Sequence, residues 1–134
     1  MNPLSLQQVL MNLILNAQAA MRLSSSGSRQ SSENSLTIAA ITRADGTVGI
    51  RVTDTGPGIP SEIAGRIFEP FVTSKKGNAS SASNASGGSG LGLSICKRLV
   101  EQAGGSITAA STAGRGTTFL VVLPSHKQIR AKAI

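Results

Sequence analysis

Aromatic side chains are almost missing from this chain: three Phe, no Trp and no Tyr in 134 residues. Binding of nucleic acid by base stacking needs aromatic platforms, so that mode is excluded. One cysteine, Cys96, leaves no intramolecular disulfide and disfavours a cysteine-rich zinc centre. One histidine, His126, disfavours a histidine metal cluster. No run reaches the roughly 18 apolar residues of a membrane helix, and no signal peptide opens the chain, so a soluble, cytoplasmic domain is expected. Acidic residues are scarce, 6 against 13 basic, which leaves a net charge of +7. The basic residues are scattered, however. Only Lys127, Arg130 and Lys132 cluster, in a basic tail over residues 126–134. Scattered charge is a weak recognition signal. What is present is enough for one domain: 40% of the residues are hydrophobic, sufficient for one modest core.

The segment LSLQQVLMNLILNAQAAM, residues 4–21, reads as an amphipathic helix. Leu6, Val9, Leu10, Leu13, Ala17, Ala20 and Met21 recur at three- and four-residue spacing. Asn12 and Asn16 lie one turn apart on one face beside that stripe. Residues 22–35 are Ser-rich and read as a mobile loop. LTIAAITR (36–43) and TVGIRVTD (47–54) are strands around an Asp45-Gly46 hairpin signal. Gly56, Pro57, Gly58 and Pro60 break the second strand, and Ser61 and Glu62 start a short helix ending near Phe68. Residues 73–90 are a low-complexity loop, in which Asn78 and Asn84 match glycosylation patterns by accident of composition. LGLSICKRLVEQA (91–103) is a helix that packs Leu93, Cys96, Leu99, Val100 and Ala103, and Gly104-Gly105 ends it. SITAAST (106–112) and TTFLVVLP (117–124) form a last hairpin. The order predicts an α/β two-layer sandwich, a mixed sheet with helices on one face.

Three glycine clusters carry the chemistry. Asp54-Thr55-Gly56-Pro57-Gly58 follows a strand, Gly87-Gly88-Ser89-Gly90-Leu91-Gly92 opens a helix, and Gly114-Arg115-Gly116-Thr117 makes a turn. A glycine-rich turn at a helix start aims backbone N–H groups and the helix dipole at an anion. Alone, the second cluster is equally a linker. Asp54 either caps its own turn or accepts from a ligand amine. Asn12 and Asn16 are either exposed amides or neutral oxygens of the kind that complete a Mg²⁺ shell.

In chain order these are NLILNA, DTGPGIP, IFEPF, GGSGLGLSI and GRGTTF. The set resembles the ATP-binding domain of bacterial sensor histidine kinases, within the superfamily that includes gyrase, Hsp90 and MutL. NAQAAM and FEPFVTSK look most similar to its nitrogen-regulatory branch. The resemblance implies a Bergerat-type ATP-binding domain over residues 1–125. It places an N box at 8–21, G1 at 54–60, an F box at 67–71, an ATP lid at 72–89, G2 at 87–95 and G3 at 114–119. It implies ATP and Mg²⁺ as cofactors. Asn16 would be the Mg²⁺ ligand, and Asp54 would hold adenine N6 with Thr117 positioning a water. Gly56, Gly58 and Ile59 would form the adenine wall. Gly88, Gly90, Leu91 and Gly92 would bring backbone to the phosphates. Phe68 and Phe71 would pack into the core and anchor the lid, and Lys75 is a γ-phosphate contact or a solvated lid lysine.

Asn12 stands where hydrolytic relatives carry a Glu base. An amide cannot accept a proton at neutral pH, so the site is expected to present the γ-phosphate to an outside nucleophile rather than to water. Ala19 and Ala20 replace a Lys and an aromatic common in the family, which implies modest affinity. The family also implies strands ahead of the N box, so an incomplete sheet is expected. The phosphoacceptor is implied to be a histidine on a separate dimerisation domain, and His126 is not that residue. A response regulator would receive the phosphate. The chain alone would be monomeric and the full kinase a homodimer. Rival readings are a hydrolytic ATPase or serine kinase on the same fold, or a basic nucleic-acid-binding module. No nucleic acid is expected.

Overall fold

Asn2 starts the first helix: its Oδ1 accepts the Leu4 N–H at 2.7 Å, and Pro3 fills the first helical position, where no N–H is required. A computed structural model of the chain describes residues 1–25, 34–72, 91–112 and 114–124, with the side chains of residues 23–25 excepted. Helix α1 runs Pro3–Ser25, past the end expected at Met21. Strands β1 (Leu36–Thr42) and β2 (Val48–Asp54) follow, then helix α2 (Gly92–Gln102) and strands β3 (Ser106–Thr112) and β4 (Gly116–Leu123). Residues 26–33 of the serine-rich loop, 73–89 of the lid and all of the basic tail with His126 lie outside the described residues. So do Lys75, Gly88 and Gly90.

The two hairpins close as their turn residues dictate. Gly46 takes φ 87°, and its N–H donates to the Arg43 carbonyl at 3.0 Å. Asp45 Oδ1 accepts the Thr47 N–H at 2.9 Å and its hydroxyl at 2.6 Å, and these bonds hold the Asp45 carboxyl below its ordinary value. Helix α2 ends in a Schellman motif: Gly104 has φ 84°, and the Gly105 N–H reaches back to the Val100 carbonyl at 2.9 Å.

The sheet order is β1-β2-β4-β3, and every neighbouring pair among the described strands is antiparallel. The mixed sheet expected from the sequence is corrected here. Strands β2 and β3, joined through α2, do run parallel, but β4 inserts between them. Both helices lie on one face. Their contacts bury Val9, Leu13 and Ala17 of α1 and Cys96 and Val100 of α2 against Val52, Ile107, Phe119, Val121 and Leu123 of the sheet. Each such Val, Leu or Phe contributes about 1.5–3 kcal/mol of burial.

Two local expectations are also corrected. Residues 61–68 form successive turns around a 3-10 helix at Ala64–Arg66 rather than a short α-helix. Their N–H groups bond three residues back, as Arg66 does to Ile63 at 2.8 Å. No side chain caps the start at Ile63, and Gly65 weakens helix formation. Phe71 is not a core residue: it is 74% exposed, with φ 68°. Only Phe68 packs inward, edge-on to Phe119 at 6.3 Å between ring centroids, with Lys97 Nζ 5.8 Å from its own.

Candidate nucleotide site

At the end of β2 a carboxylate is buried. Asp54 is 3% exposed and pairs in register with Thr117 of β4, itself buried. The Gly56 N–H donates to Asp54 Oδ1 at 2.8 Å, so the side chain closes the turn that follows the strand. Burial pushes the Asp54 carboxyl above its ordinary value, and N–H donors from Gly56 and Thr117 only partly offset that. Of the two roles weighed for Asp54 the cap is present: one oxygen closes the turn, while burial disfavours the charge of the group as a whole. A buried carboxylate of this kind is a good acceptor for a ligand amine.

The glycines here are required by space. A Cβ on Gly56 would lie 3.1 Å from Asp54 Oδ1 and 3.2 Å from the Ala20 carbonyl carbon and Cβ. Helix α1 thus packs directly on the turn. Gly58 has φ 84°, and a Cβ there would lie 2.8 Å from both Ser111 Oγ and the Thr112 carbonyl oxygen. Ser111 was not singled out from the sequence, yet it clamps this loop. Its Oγ accepts the Ile59 N–H at 2.6 Å and donates to the Gly116 carbonyl at 3.3 Å. The available signal was its register position: Ser111 lies opposite Thr117, which lies opposite Asp54. Ser111→Ala removes both hydrogen bonds and, acting through the loop and not on the ligand, should weaken ADP binding roughly 2- to 10-fold. Calorimetry that gives equal affinities would place the clamp outside the site.

The other end is built by the two helices. Asn12 Nδ2 donates to the Gly92 carbonyl at 3.4 Å, which brings α1 against the first turn of α2. Among the described residues no side-chain cap hydrogen bond is made at Leu91, and the first turn of α2 carries no acid. The first-turn N–H groups of a helix have no partner within the helix, so this end suits an anion. Ala20 touches Gly56, Asn12 touches Gly92, and Asn16 lies midway between them on the same face of α1. One row of α1 therefore runs from the Asp54 turn to the α2 N-terminus.

Of the residues singled out from the sequence, Asn12, Asn16, Asp54, Gly56, Gly58, Ile59, Leu91, Gly92 and Thr117 fall on this row or on the turns at its ends. The arrangement fits a nucleotide: a buried acceptor at one end, a glycine turn packed tightly against α1 and β3 beside it, and the first turn of α2 at the other.

Comparison with known proteins agrees with this fold. Residues 1–127 match the sequence pattern described as histidine kinase-, DNA gyrase B-, and HSP90-like ATPase. The chain is 39% identical over 119 residues to the C4-dicarboxylate transport sensor protein DctS of Rhodobacter capsulatus, covering 89% of this chain and 16% of that protein. It is 35% identical over 127 residues to the sensor histidine kinase ZraS of Klebsiella oxytoca, covering 95% and 23%. The chain thus spans about a sixth to a quarter of these relatives. Among solved structures, the catalytic domain of the histidine kinase ThkA superposes with a TM-score of 0.65 at 29% identity, covering 93% of this chain and 69% of that one. Full-length ShkA in complex with AMPPNP gives 0.64 at 30% identity, covering 90% and 21%. The fold and the site define an ATP-binding domain of signal transduction. The chain belongs to the histidine kinase-, DNA gyrase B-, and HSP90-like ATPase family, and its relatives within it are sensor histidine kinases.

Proposed function

We propose that this domain holds Mg-ATP and presents the γ-phosphate to a histidine on a separate dimerisation domain, from which a response regulator is served. The observation that carries the reading is the α1 row from Asn12 through Asn16 to Ala20, which joins a buried carboxylate to the first turn of α2. In it Asp54 accepts from the adenine amine, with Thr117 beside it. Gly56, Gly58 and Ile59 form the wall of the base pocket. Gly92, Leu91 and the glycines before them supply backbone donors to the phosphates, joined by Gly88, Gly90 and Lys75. Asn16 ligates Mg²⁺, which when bound neutralises phosphate charge.

Asn12 supports transfer over hydrolysis. Its amide offers no base at neutral pH, so water at the site is not activated by it. Catalysis by these residues is positioning and charge stabilisation. The partners follow from this reading: a phosphoacceptor domain of the same kinase, a homodimeric parent and a cytoplasmic catalytic unit. No described helix is long and apolar enough to cross a membrane.

Titration calorimetry with ADP and a non-hydrolysable ATP analogue, with and without Mg²⁺, tests the reading. Binding strengthened by Mg²⁺ is expected, with slow steady-state hydrolysis and phosphotransfer to a separately supplied histidine-bearing dimerisation domain. Fast hydrolysis by the domain alone would favour the hydrolytic ATPase instead.

A further inference from the structure

Ser94 stands in the first turn of α2, and its Oγ donates back to the Leu91 carbonyl at 2.8 Å. A serine has one hydroxyl hydrogen, so that proton is committed and the group offers a ligand no donor. The same carbonyl accepts the Ile95 N–H at 3.0 Å. With two donors on it, the Leu91 oxygen is fixed toward the body of the helix. The peptide is trans and planar, so the Gly92 N–H points the opposite way, out of the helix start. The next peptide is held from the other helix, by Asn12 Nδ2 on the Gly92 carbonyl at 3.4 Å. Gly92 itself is bare for no reason within the protein. A Cβ there would meet nothing closer than Asn12 Cγ at 3.9 Å, an ordinary contact, and the residue lies in a helix, where alanine is the better former. The missing side chain leaves the N–H open to close approach by a ligand.

We propose that Ser94 is a positioning residue for the phosphates: its hydroxyl pins the Leu91–Gly92 peptide, so that the Gly92 N–H is aimed at the anionic end of a nucleoside diphosphate before any ligand arrives. The inference rests on the nucleotide reading above and gives the phosphate end of that site a cause in the sequence. A peptide free to rock has to be ordered when the ligand binds. One already pinned makes its bond to a phosphate oxygen without that loss. The hydroxyl acts on the peptide and touches no ligand. Asn12 acts in the same way one peptide further on, through the Gly92 carbonyl.

The test compares the full chain with Ser94→Ala, Ser94→Thr and Ser94→Val. Threonine keeps the hydroxyl, and valine has threonine's shape without it. An effect common to Ala and Val but absent in Thr therefore belongs to the hydrogen bond and not to packing. The first readout is the carbonyl ¹³C resonance of Leu91 in the nucleotide-free protein, which reports hydrogen bonds on that oxygen. It is expected to move upfield in Ser94→Ala and Ser94→Val and to stay near the parent in Ser94→Thr. The second readout is the pair of affinities for ADP and for adenosine, which has no phosphate. ADP affinity is expected to fall roughly 3- to 10-fold in the two apolar variants, the size of one lost hydrogen bond, with adenosine affinity unchanged and Ser94→Thr near the parent. Alanine is the better helix former, so Ser94→Ala should melt no lower than the parent while it binds ADP less well. Equal losses for ADP and adenosine, or unchanged ADP affinity in both apolar variants, would overturn the positioning role. So would a loss of ADP affinity with the Leu91 resonance unmoved, since the hydroxyl would then meet the phosphate itself. Failure of the parent to bind either ligand would overturn the functional reading and leave the Leu91 resonance to decide the anchor.

Discussion

Asp54→Asn is expected to lose roughly 10- to 150-fold in ADP affinity, the range for a hydrogen bond to a charged group. The same change should remove a pH dependence from the folded domain. Asn keeps an oxygen for the Gly56 N–H but places an NH₂ where adenine's own amine would need an acceptor. The stability effect follows from burial. The Asp54 carboxyl is raised in the folded protein, chiefly by desolvation, so the folded state keeps its proton where the unfolded chain has released it. Stability of the nucleotide-free domain then falls as pH rises from the ordinary carboxylate range through the raised value, and is regained on acidification. Nucleotide affinity runs the other way, because the charged carboxylate is the better acceptor. Melting curves of parent and variant, compared from pH 4 to about pH 7, should diverge, with the parent losing ground as pH rises. Parallel curves would remove Asp54 as the source.

Gly116→Ala is expected to be the most damaging single methyl group in the chain. Gly116 has φ 122°, a region closed to side chains, and its added Cβ would run into the carbonyl oxygen of Asp54. Backbone strain of about 1–3 kcal/mol and overpacking of about 1–3 kcal/mol act together. A domain of this size has about 5–15 kcal/mol in total, so the variant should melt more than ~10 °C lower or fail to fold. Gly114→Ala is the control. Gly114 also has positive φ, 78°, but nothing lies within 4 Å of its Cβ position. It should cost only about 1–2 kcal/mol. Similar melting temperatures for the two variants would refute the contact on Asp54.

The contrast between those two glycines shows what the sequence made legible. The motif Gly114-Arg115-Gly116 announced a turn, and the turn is there. Which glycine was needed for a close approach depended on a contact with Asp54, far away in the chain, which local pattern does not encode. The strands were read almost to the residue, because β-branched runs were bounded by Gly and Asp signals. The antiparallel sheet was missed because pairing partners are set by where β4 inserts, not by its own residues. Asn12, Asn16 and Asp54 stood out as polar residues in apolar settings. Ser111 did not, because a serine in a run of Ser, Thr and Ala carries no local contrast. Phe71 followed the rule that aromatics are buried and broke it, since the chain passes through a positive φ there and turns the ring outward.

The position of β4 has a consequence for the order of assembly. It is the last of the described strands and lies between β2 and β3, with Val48 paired to Leu123 and Asp54 to Thr117. On the ribosome, the first hairpin and the second helix are made early but have no common sheet to join. Neither half can close the core until the final strand emerges and is threaded between them. Such non-local pairing slows folding and lengthens the time that strand edges stay open. The Asp54–Thr117 pair is subject to the same delay, because Asp54 is synthesised long before Thr117 arrives opposite it. A nascent chain truncated before β4 is therefore a chain with Asp54 made and the strand that buries it absent.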